Sequence, residues 1–179
     1  VMGVVKKILG TRINHEIVRL IKHFGGNAVS FNHNKYSIIR ATKRNNHKGP
    51  DLGFVGKVEK IMTGELKKKI DKGFIPVIAP IGKSKNNDYW NINADVVAGE
   101  VAQSLKAEKL ILLTDVKGIG DSENKLISKI SLKKGQKVLK EKFIKGGMTP
   151  KLTAALEAKK NGVKSCHIID GRVPHAVLL

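Results

Sequence analysis

The sequence predicts an α/β fold in which a mostly parallel, open sheet lies between helices. Two continuous apolar runs, Phe74–Gly82 and Glu108–Asp115, are typical of strands covered on both faces. Between them, apolar residues recur with helical spacing over Ala94–Leu105. Strand, helix and strand in this order indicate a parallel crossover unit.

The rest of the chain supplies further short elements around this unit. A helix is predicted over Ile13–His23 with Asn14 as its cap, followed by strands at Ala28–Phe31 and Ser37–Thr42. Alternation in "GKVEKIM" predicts another strand. The later predicted elements are a helix capped by Thr63, a strand at Leu126–Ile130, helices at Gln136–Phe143 and Pro150–Asn161, and a strand in "KSCHIID".

Composition narrows the classes of function. A chain of 179 residues with 41% apolar content can bury a core, and we find neither a membrane-length apolar run nor a signal-peptide pattern. A net charge of +19 raises nucleic acid as a partner, but the cations are spread along the chain and aromatic residues make up 4%. We therefore expect a protein that binds neither membrane nor nucleic acid. A lone Cys166 and histidines without metal-ligand spacing predict no metal site.

Polar residues gather at the strand-to-helix corner "YWNINADVVAGE". Asn93 is placed to cap the helix and Asp95 to complement its dipole, which together stabilise by about 1 to 2 kcal/mol. Neither role explains Asn91, which lies one strand repeat earlier on the same face. Local structure and ligand binding are both open for this corner.

Two more corners could hold an anion. The loop "TDVKGIGD" follows an apolar strand, where its backbone amides could bind phosphate, although such a loop is also an ordinary connection. In "KGGMTPKLTAAL", Thr149 is predicted to cap a helix, with Pro150 and Lys151 in its first two positions. A lysine there costs up to about 1 kcal/mol unless an anion faces it, and Asp95 or a phosphate would serve.

Several blocks, in order and spacing, resemble the acetylglutamate kinases of the amino-acid kinase family, most of all the arginine-sensitive type. They include "GFIPVIAPIG", "NINAD", "AEKLILLTDVKGI", "GGMTPKL" and "HIIDGRVPHAVLL", and the similarity runs from about Val4 to Leu179. The resemblance implies the amino-acid kinase fold. It also implies ATP-dependent phosphorylation of N-acetyl-L-glutamate to N-acetylglutamyl 5-phosphate in arginine biosynthesis.

The same resemblance implies roles for individual residues. Lys151 matches the lysine that stabilises charge on the transferring phosphoryl group, and Asp95 the aspartate that orients the catalytic lysines. Asn91, with Asn93, matches the residues that hold the substrate. The nucleotide-binding residues would be Asp115, Val116, Lys117, Gly118, Ile119, Gly120, Phe143, Ile144 and Lys145, with Mg²⁺ held mainly by the phosphates of ATP.

The chain also departs from the family pattern, because the family's chain begins well before the block that matches Val4. The first strand with another catalytic lysine, a glycine pair and a substrate-gripping arginine all precede it, so we expect an N-terminally incomplete fold. Residues 1–82 would be the remainder of the acceptor-binding half and residues 83–179 the nucleotide-binding half. Activity of this chain alone stays open, and so do two alternatives: another member of the family, or a catalytically incomplete nucleotide-binding or regulatory remnant.

The resemblance extends to partners and compartment. It implies a homo-oligomer, feedback by arginine and a nitrogen-regulatory protein as partner. The expected compartment is the cytoplasm, or the plastid stroma if the gene is organellar.

Overall fold

The computed structural model describes residues 1–46, 49–123, 125–141 and 143–178, which form two compact units, Val1–Val97 and Ala98–Leu179. Both units combine helices with strands, and three strand pairs are parallel, namely β1–β4, β2–β5 and β7–β8 in the numbering given below. The predicted α/β class is confirmed. The division into an acceptor half and a nucleotide half stays a prediction.

The first unit begins with a helix that is longer than predicted. It is α-helical over Met2–Val5 (α1), π-helical over Lys6–Ile13 and α-helical again over Asn14–His23 (α2). Asn14 is therefore inside the helix, and its predicted role as a cap is wrong. It is 2% exposed, donates from Nδ2 to the Val77 carbonyl at 2.8 Å and accepts from the Ser30 hydroxyl. A buried amide needs such partners, and these tie the helix to two strands.

Two sheets follow in the first unit. Strand β1 (Ala28–Phe31) pairs in parallel with β4 (Ile75–Ile78). The second sheet has the order β3-β2-β5-β6. Its strands are β2 (Ile39–Lys43), β3 (Gly56–Ile61), β5 (Ile81–Lys83) and β6 (Tyr89–Asn91), and α3 (Thr63–Asp71) follows β3 in the chain. Met62, and not Thr63, is the N-cap residue of α3.

The apolar run Phe74–Gly82 forms two strands, so its prediction as one strand is wrong. Pro80 lies between β4 and β5 and has no N–H to give to a strand ladder. The Ile81 N–H donates back to the Ala79 carbonyl at 2.8 Å, and the chain turns from one sheet into the other. The crossover predicted from this run would join strands of different units, and it stays a prediction.

The second unit contains most of α4 (Ala94–Leu105), whose predicted bounds are confirmed. Strands β7 (Lys109–Thr114) and β8 (Ser165–Asp170) pair in parallel. Helices α5 (Leu132–Val138) and α6 (Met148–Lys160) precede β8, and a short 3-10 helix, Ala176–Leu178, follows it.

Two predictions for the second unit are wrong. No strand forms over Leu126–Ile130, where the described residues give only an isolated bridge between Gly120 and Leu126. Helix α5 starts earlier than the predicted Gln136–Phe143, because the Ser131 hydroxyl accepts from the Lys134 N–H at 3.3 Å and caps it there. Lys142, within that predicted helix, lies outside the described residues.

Each unit has its own buried apolar residues. In the first they include Phe31, Ile39, Ala41, Leu66, Ile81 and Ile92. In the second, one cluster joins Ala102, Leu110, Leu112, Ala155, Ala158 and Val163, and another joins Ile119, Val138, Leu152 and Leu156. Among the described residues, none of the helices has the length and apolar character that a membrane span requires.

Close packing at β5 predicts that Gly82→Ala destabilises the chain. A Cβ at Gly82 would lie 2.4 Å from the Cβ of Ala41 and 2.8 Å from Cδ1 of Ile92, and both neighbours are buried. We expect the free energy of unfolding, measured by urea denaturation, to fall by about 1 to 3 kcal/mol.

Gly64→Ala in α3 is the matched control, since nothing lies within 4 Å of the added methyl group. It should raise the free energy of unfolding by about 0.4 to 1 kcal/mol. Equal unfolding midpoints for the two variants would contradict the packing described for Gly82.

Candidate functional site

The corner between β6 and α4 is built around Asn93. Its side-chain Oδ1 accepts from the backbone N–H of Asp95 at 2.9 Å and of Val96 at 3.2 Å, so the predicted cap is confirmed. Ile92 beside it is 3% exposed, and its N–H donates to the Pro80 carbonyl at 3.0 Å. The buried Ile92 thus anchors the corner, while Asn93 stays at the surface.

A cleft of about 650 Å³ opens beside this corner. Asn93 and Ile92 lie on one wall, and the ends of β2 and β3 supply the rest, including Thr42, Lys43, Arg44, Gly56 and Lys57. Its volume falls in the range of small-ligand sites. Sequence analysis missed these residues, because only the pairing of β2 with β3 brings Lys43 opposite Gly56 and next to Lys57.

The cleft is electropositive. Three cationic side chains line it, and Lys43 forms an ion pair with Asp51 at 2.7 Å. The hydrogen bonds from Lys43 and from the Gly53 N–H hold the pKa of Asp51 below its usual value. Arg44 and Lys57 form no ion pair within the part of the chain that the structure describes. Their charge favours an anionic ligand.

Asn91 and Asp95 flank the cleft in sequence but do not line it. Asn91 is half-buried in β6, opposite Ile81, and its N–H donates to the Phe54 carbonyl at 2.8 Å. Asp95 is half-buried in the first turn of α4. Asp95 belongs to the first unit and Lys151 to the second, so their pairing stays a prediction.

In the second unit, the loop from Asp115 to Gly120 leaves the end of β7. Asp115, Val116 and Lys117 are exposed, whereas Ile119 is 6% exposed and packs in the cluster with Leu152 and Leu156. Gly118 has φ 140°, a conformation that favours glycine. The loop is thus fixed at Ile119 while its first residues stay open to solvent.

The predicted stretch Phe143–Lys145 meets the same cluster. Ile144 packs against it, and the side chains of Phe143 and Lys145 are exposed. Leu152 of α6 lies in the cluster with 2% exposure, directly after the half-buried Lys151. The structure therefore brings together three of the predicted segments: the loop around Ile119, the stretch around Ile144 and the start of α6.

The start of α6 differs from the prediction. The helix begins at Met148 after an N-cap at Gly147, and no side-chain hydrogen bond caps it. Thr149 is the second helical residue, and its hydroxyl donates to the Ile144 carbonyl at 3.4 Å. Pro150 is therefore the third helical residue and Lys151 the fourth. The helix tolerates proline there because the backbone N–H groups of a first turn have no intrahelical acceptor, so no helix hydrogen bond is lost.

A further charged pair lies at the same end of the β7–β8 sheet. Asp170, opposite Thr114 at the end of β8, accepts from Arg172 through Nε at 2.8 Å and through Nη2 at 2.7 Å. The pKa of Asp170 is lowered to about 2 by these side-chain bonds and by a backbone hydrogen bond from Arg172. The nearby charge of Lys117 contributes in the same direction. The hydrogen bond to Asp170 and the charge of that carboxylate raise the pKa of Arg172, and the charge of Asp115 adds to this effect. The loop after β7 thus shares its charged surroundings with the end of β8.

Comparison with known proteins identifies the family to which this arrangement belongs. A family model described as the amino acid kinase family matches residues 2–170. The chain belongs to the amino acid kinase family.

Within the described residues, no group of three or more His, Cys, Asp or Glu side chains could hold a metal ion.

Two curated relatives of the chain are named acetylglutamate kinase. The chain is 42% identical over 182 residues to a Neisseria meningitidis protein named acetylglutamate kinase, covering 99% of this chain and 61% of that protein. It is 46% identical over 189 residues to the protein of that name from Heliobacterium modesticaldum, covering 99% and 64%. This amino acid kinase chain thus spans less than two thirds of the length of these relatives.

A solved structure has the same fold. A crystal structure of a protein from Streptococcus mutans UA159 superposes with a TM-score of 0.85 at 28% identity, covering 94% of this chain and 67% of that one. The predicted amino-acid kinase fold is confirmed, and this chain covers only part of it.

The charged pair at β8 predicts a measurable pKa change. In the folded chain the pKa of Asp170 is about 2, below its ordinary 3.8, so its stabilising effect is present above pH 3.8 and is lost as the pH falls toward 2. In Arg172→Ala we expect the pKa of Asp170, followed by carbon-13 NMR of its carboxyl group, to rise toward the ordinary value.

Lys164→Ala is the control, because Lys164 forms an exposed ion pair with Glu108, at 2.6 Å, just before β8 begins. This variant should leave the pKa of Asp170 near 2. If the pKa of Asp170 is unchanged in Arg172→Ala, Arg172 does not cause the lowered pKa of Asp170.

Proposed function

We propose that this chain is the acceptor and nucleotide region of an enzyme that transfers the γ-phosphoryl group of ATP to the side-chain carboxylate of N-acetyl-L-glutamate. The product would be N-acetylglutamyl 5-phosphate, as arginine biosynthesis requires. The observation that carries the proposal is the identity of 42% and 46% with proteins named acetylglutamate kinase over 99% of this chain. The cationic cleft and the clustered segments of the second unit support it.

The cleft of the first unit fits the acceptor. Acetylglutamate carries two carboxylates. Arg44 and Lys57, which form no ion pair with a described residue, supply positive charge where a carboxylate can bind in a bidentate or ionic contact. Because Asn93 uses Oδ1 to cap α4, its Nδ2 amide group is the donor that can reach the ligand. Asn91 is proposed to hold the acetylglutamate from β6.

The second unit fits the nucleotide. The loop from Asp115 to Gly120 and the stretch Phe143–Lys145 rest on one apolar cluster through Ile119 and Ile144, and Lys117 and Lys145 are exposed on them. Backbone amides of a glycine-bearing loop and two lysines suit the phosphates of ATP. ATP would supply the phosphoryl group, with Mg²⁺ held mainly by its phosphates.

Catalysis then depends on charge and position. Negative charge spreads over the oxygens of the transferring group, and a fixed cation there lowers the barrier more than covalent help would. Lys151 is proposed to supply that cation, because the burial of Leu152 restricts where the neighbouring side chain can lie. Asp95 is proposed to orient Lys151.

Lys151→Ala tests the catalytic proposal. The assay follows acyl phosphate, trapped with hydroxylamine as the hydroxamate, in this chain and in any longer protein that contains it. We expect kcat to fall by about 100- to 1,000-fold, as when one transition-state contact is lost, with little change in the KM for ATP.

Lys160→Ala removes the same charge from the exposed last turn of α6 and serves as the control. It should keep the rate of the unaltered protein. A Lys151→Ala variant as active as this control would overturn the role given to Lys151.

Arg44→Ala tests the acceptor cleft. Loss of a charged contact to the substrate should raise the KM for N-acetyl-L-glutamate by about tenfold while kcat and the KM for ATP stay close to normal. Arg19→Ala, an equal charge loss on the exposed side of α2, should change none of these constants. An effect of Arg44→Ala on the KM for ATP alone would place the acceptor elsewhere.

The homo-oligomer is also part of the proposal. Helix α2 and the residues beside it expose Ile13, Ile17, Leu20 and Phe24 at 39%, 41%, 46% and 83%. Their spacing of four, three and four residues puts them on one helical face, where a second copy of the chain would bury them. Arginine feedback, a nitrogen-regulatory partner and a cytoplasmic or plastid compartment belong to the same proposal.

Polar substitutions on this face should dissociate the oligomer. We expect the double variant Ile17→Ser with Leu20→Ser to give a lower molar mass in light scattering than the unaltered chain. Leu52→Ser, at an apolar residue exposed outside this helix, should keep the original mass. A double variant that keeps its mass and its circular dichroism spectrum would contradict an interface on α2.

A further inference from the structure

A second, smaller cleft of about 300 Å³ lies on the four-stranded sheet of the first unit, and its lining residues differ from those of the cleft at Asn93. It is bounded by the start of β2, by Met62 and by the hairpin between β5 and β6. The polar residues that line it are Ser37, Arg40, Lys83, Ser84, Lys85 and Asn87. No carboxylate is among its described lining residues.

The register of the sheet that carries this cleft places cations side by side, of which Arg40 and Lys83 line the cleft. Arg40 of β2 pairs with Lys83 of β5 on one side and with Lys60 of β3 on the other. Directly paired residues point to the same face of a sheet, with their Cβ atoms about 4.5 to 5.5 Å apart. Like charges at that separation repel each other, so this row of three cations destabilises the sheet unless an anion neutralises it.

The described part of the chain does not supply that anion. Arg40, Lys60 and Lys83 form no ion pair among the described residues. Lys83 lies 5.7 Å from the ring centroid of Tyr89, a weak cation–π contact that the ring shares with Lys6 at 4.3 Å. Glu59, beside Lys60, is exposed at the irregularity between β2 and β3. It is not among the described residues that line this cleft, and it forms no ion pair with another described residue.

The neighbouring polar groups differ in what they can offer. The Ser84 hydroxyl donates to Asp88 at 3.3 Å and accepts from the Asp88 N–H at 3.1 Å, so it is already engaged. The Ser37 hydroxyl is buried and finds no hydrogen-bond partner among the described residues. A buried hydroxyl without a partner costs about 1 to 3 kcal/mol, which a ligand that accepts its hydrogen bond would recover. The cleft thus combines cations that form no ion pair among the described residues with Ser37, whose buried hydroxyl has no described hydrogen-bond partner.

We propose that this cleft binds a tetrahedral oxyanion of the phosphate class, either free phosphate or the phosphate group of a small ester, at a site separate from the acceptor cleft. Arg40 presents the planar donor fork that matches phosphate, while Lys83 and Lys85 add charge and Ser37 and Asn87 add neutral donors. The small volume favours a small anion over a polymer, because a nucleic acid would need an extended basic surface with aromatic residues. The site does not rest on the proposed kinase reaction.

Calorimetric titration of this chain with inorganic phosphate, at fixed ionic strength set with chloride, tests the site. We expect saturable binding with one site per chain, and about a tenfold or greater loss of affinity in Arg40→Ala. Amide NMR signals of Ser37, Lys85 and Asn87 should shift during the titration, while those of Thr42, Lys57 and Asn93 should not.

Two further variants guard against a folding artefact. Lys85→Ala changes an exposed lining residue and should weaken phosphate binding without altering the circular dichroism spectrum. Lys67→Ala removes an equal charge from the exposed side of α3 and should leave phosphate affinity unchanged. Equal loss in Lys85→Ala and Lys67→Ala would mean that phosphate responds to net charge, and would overturn the proposal.

A third arm separates the two sources of the phosphate group. If a phosphate ester is the ligand, glycerol phosphate should bind more tightly than inorganic phosphate. If free phosphate is the ligand, glycerol phosphate should bind more weakly. Absence of binding by both probes, or shifts confined to Asp115–Gly120, would overturn the site. Since the assay needs neither ATP nor acetylglutamate, failure here leaves the proposed kinase reaction untouched.

Discussion

Packing of Ile119, Leu152 and the half-buried Ile144 in one apolar cluster decides what the second unit can present to a ligand. Each of these residues is followed or preceded by polar groups that the cluster itself does not need: the loop after β7, Lys145 and Lys151. Full burial of a side chain such as Ile119 or Leu152 stabilises by about 1.5 to 3 kcal/mol, and the contacts of the cluster fix all three segments. The polar groups are then held at the surface in one neighbourhood without any direct bond between them.

In the first unit, a helix cap and a buried side chain fix the corner before α4. At the corner before α4, Asn93 satisfies two helix amides with one oxygen, and the buried Ile92 holds the strand end beneath it. Local structure therefore explains much of what makes this corner unusual. The ligand-binding character comes from across the cleft, where Arg44 and Lys57 bring positive charge that the described carboxylates do not balance.

Sequence reasoning succeeded where the signal is local. The bounds of α4 follow from its apolar stripe and its cap. The segment "KSCHIID" is predicted to be a strand, and β8 confirms it. It failed at Asn14, because the partners that hold its amide are 16 and 63 residues away. Phe74–Gly82 misled for a related reason: its apolar pattern is the same on both sides of Pro80, and only tertiary structure divides it between two sheets. The cationic lining of the first cleft and the Asp170–Arg172 pair likewise need strand pairing to appear.

The most direct measurement is a pair of NMR titrations of this chain, one with Mg²⁺ and a non-hydrolysable ATP analogue and one with N-acetyl-L-glutamate. The nucleotide should shift the amide signals of Asp115–Gly120, Phe143–Lys145 and Lys151, and acetylglutamate should shift those of Arg44, Lys57 and Asn93. Nucleotide-induced shifts confined to the cationic cleft of the first unit would contradict the assignment of acceptor binding to the first unit and nucleotide binding to the second. An absence of shifts with either ligand, in this chain and in any longer protein that contains it, would contradict that assignment as well.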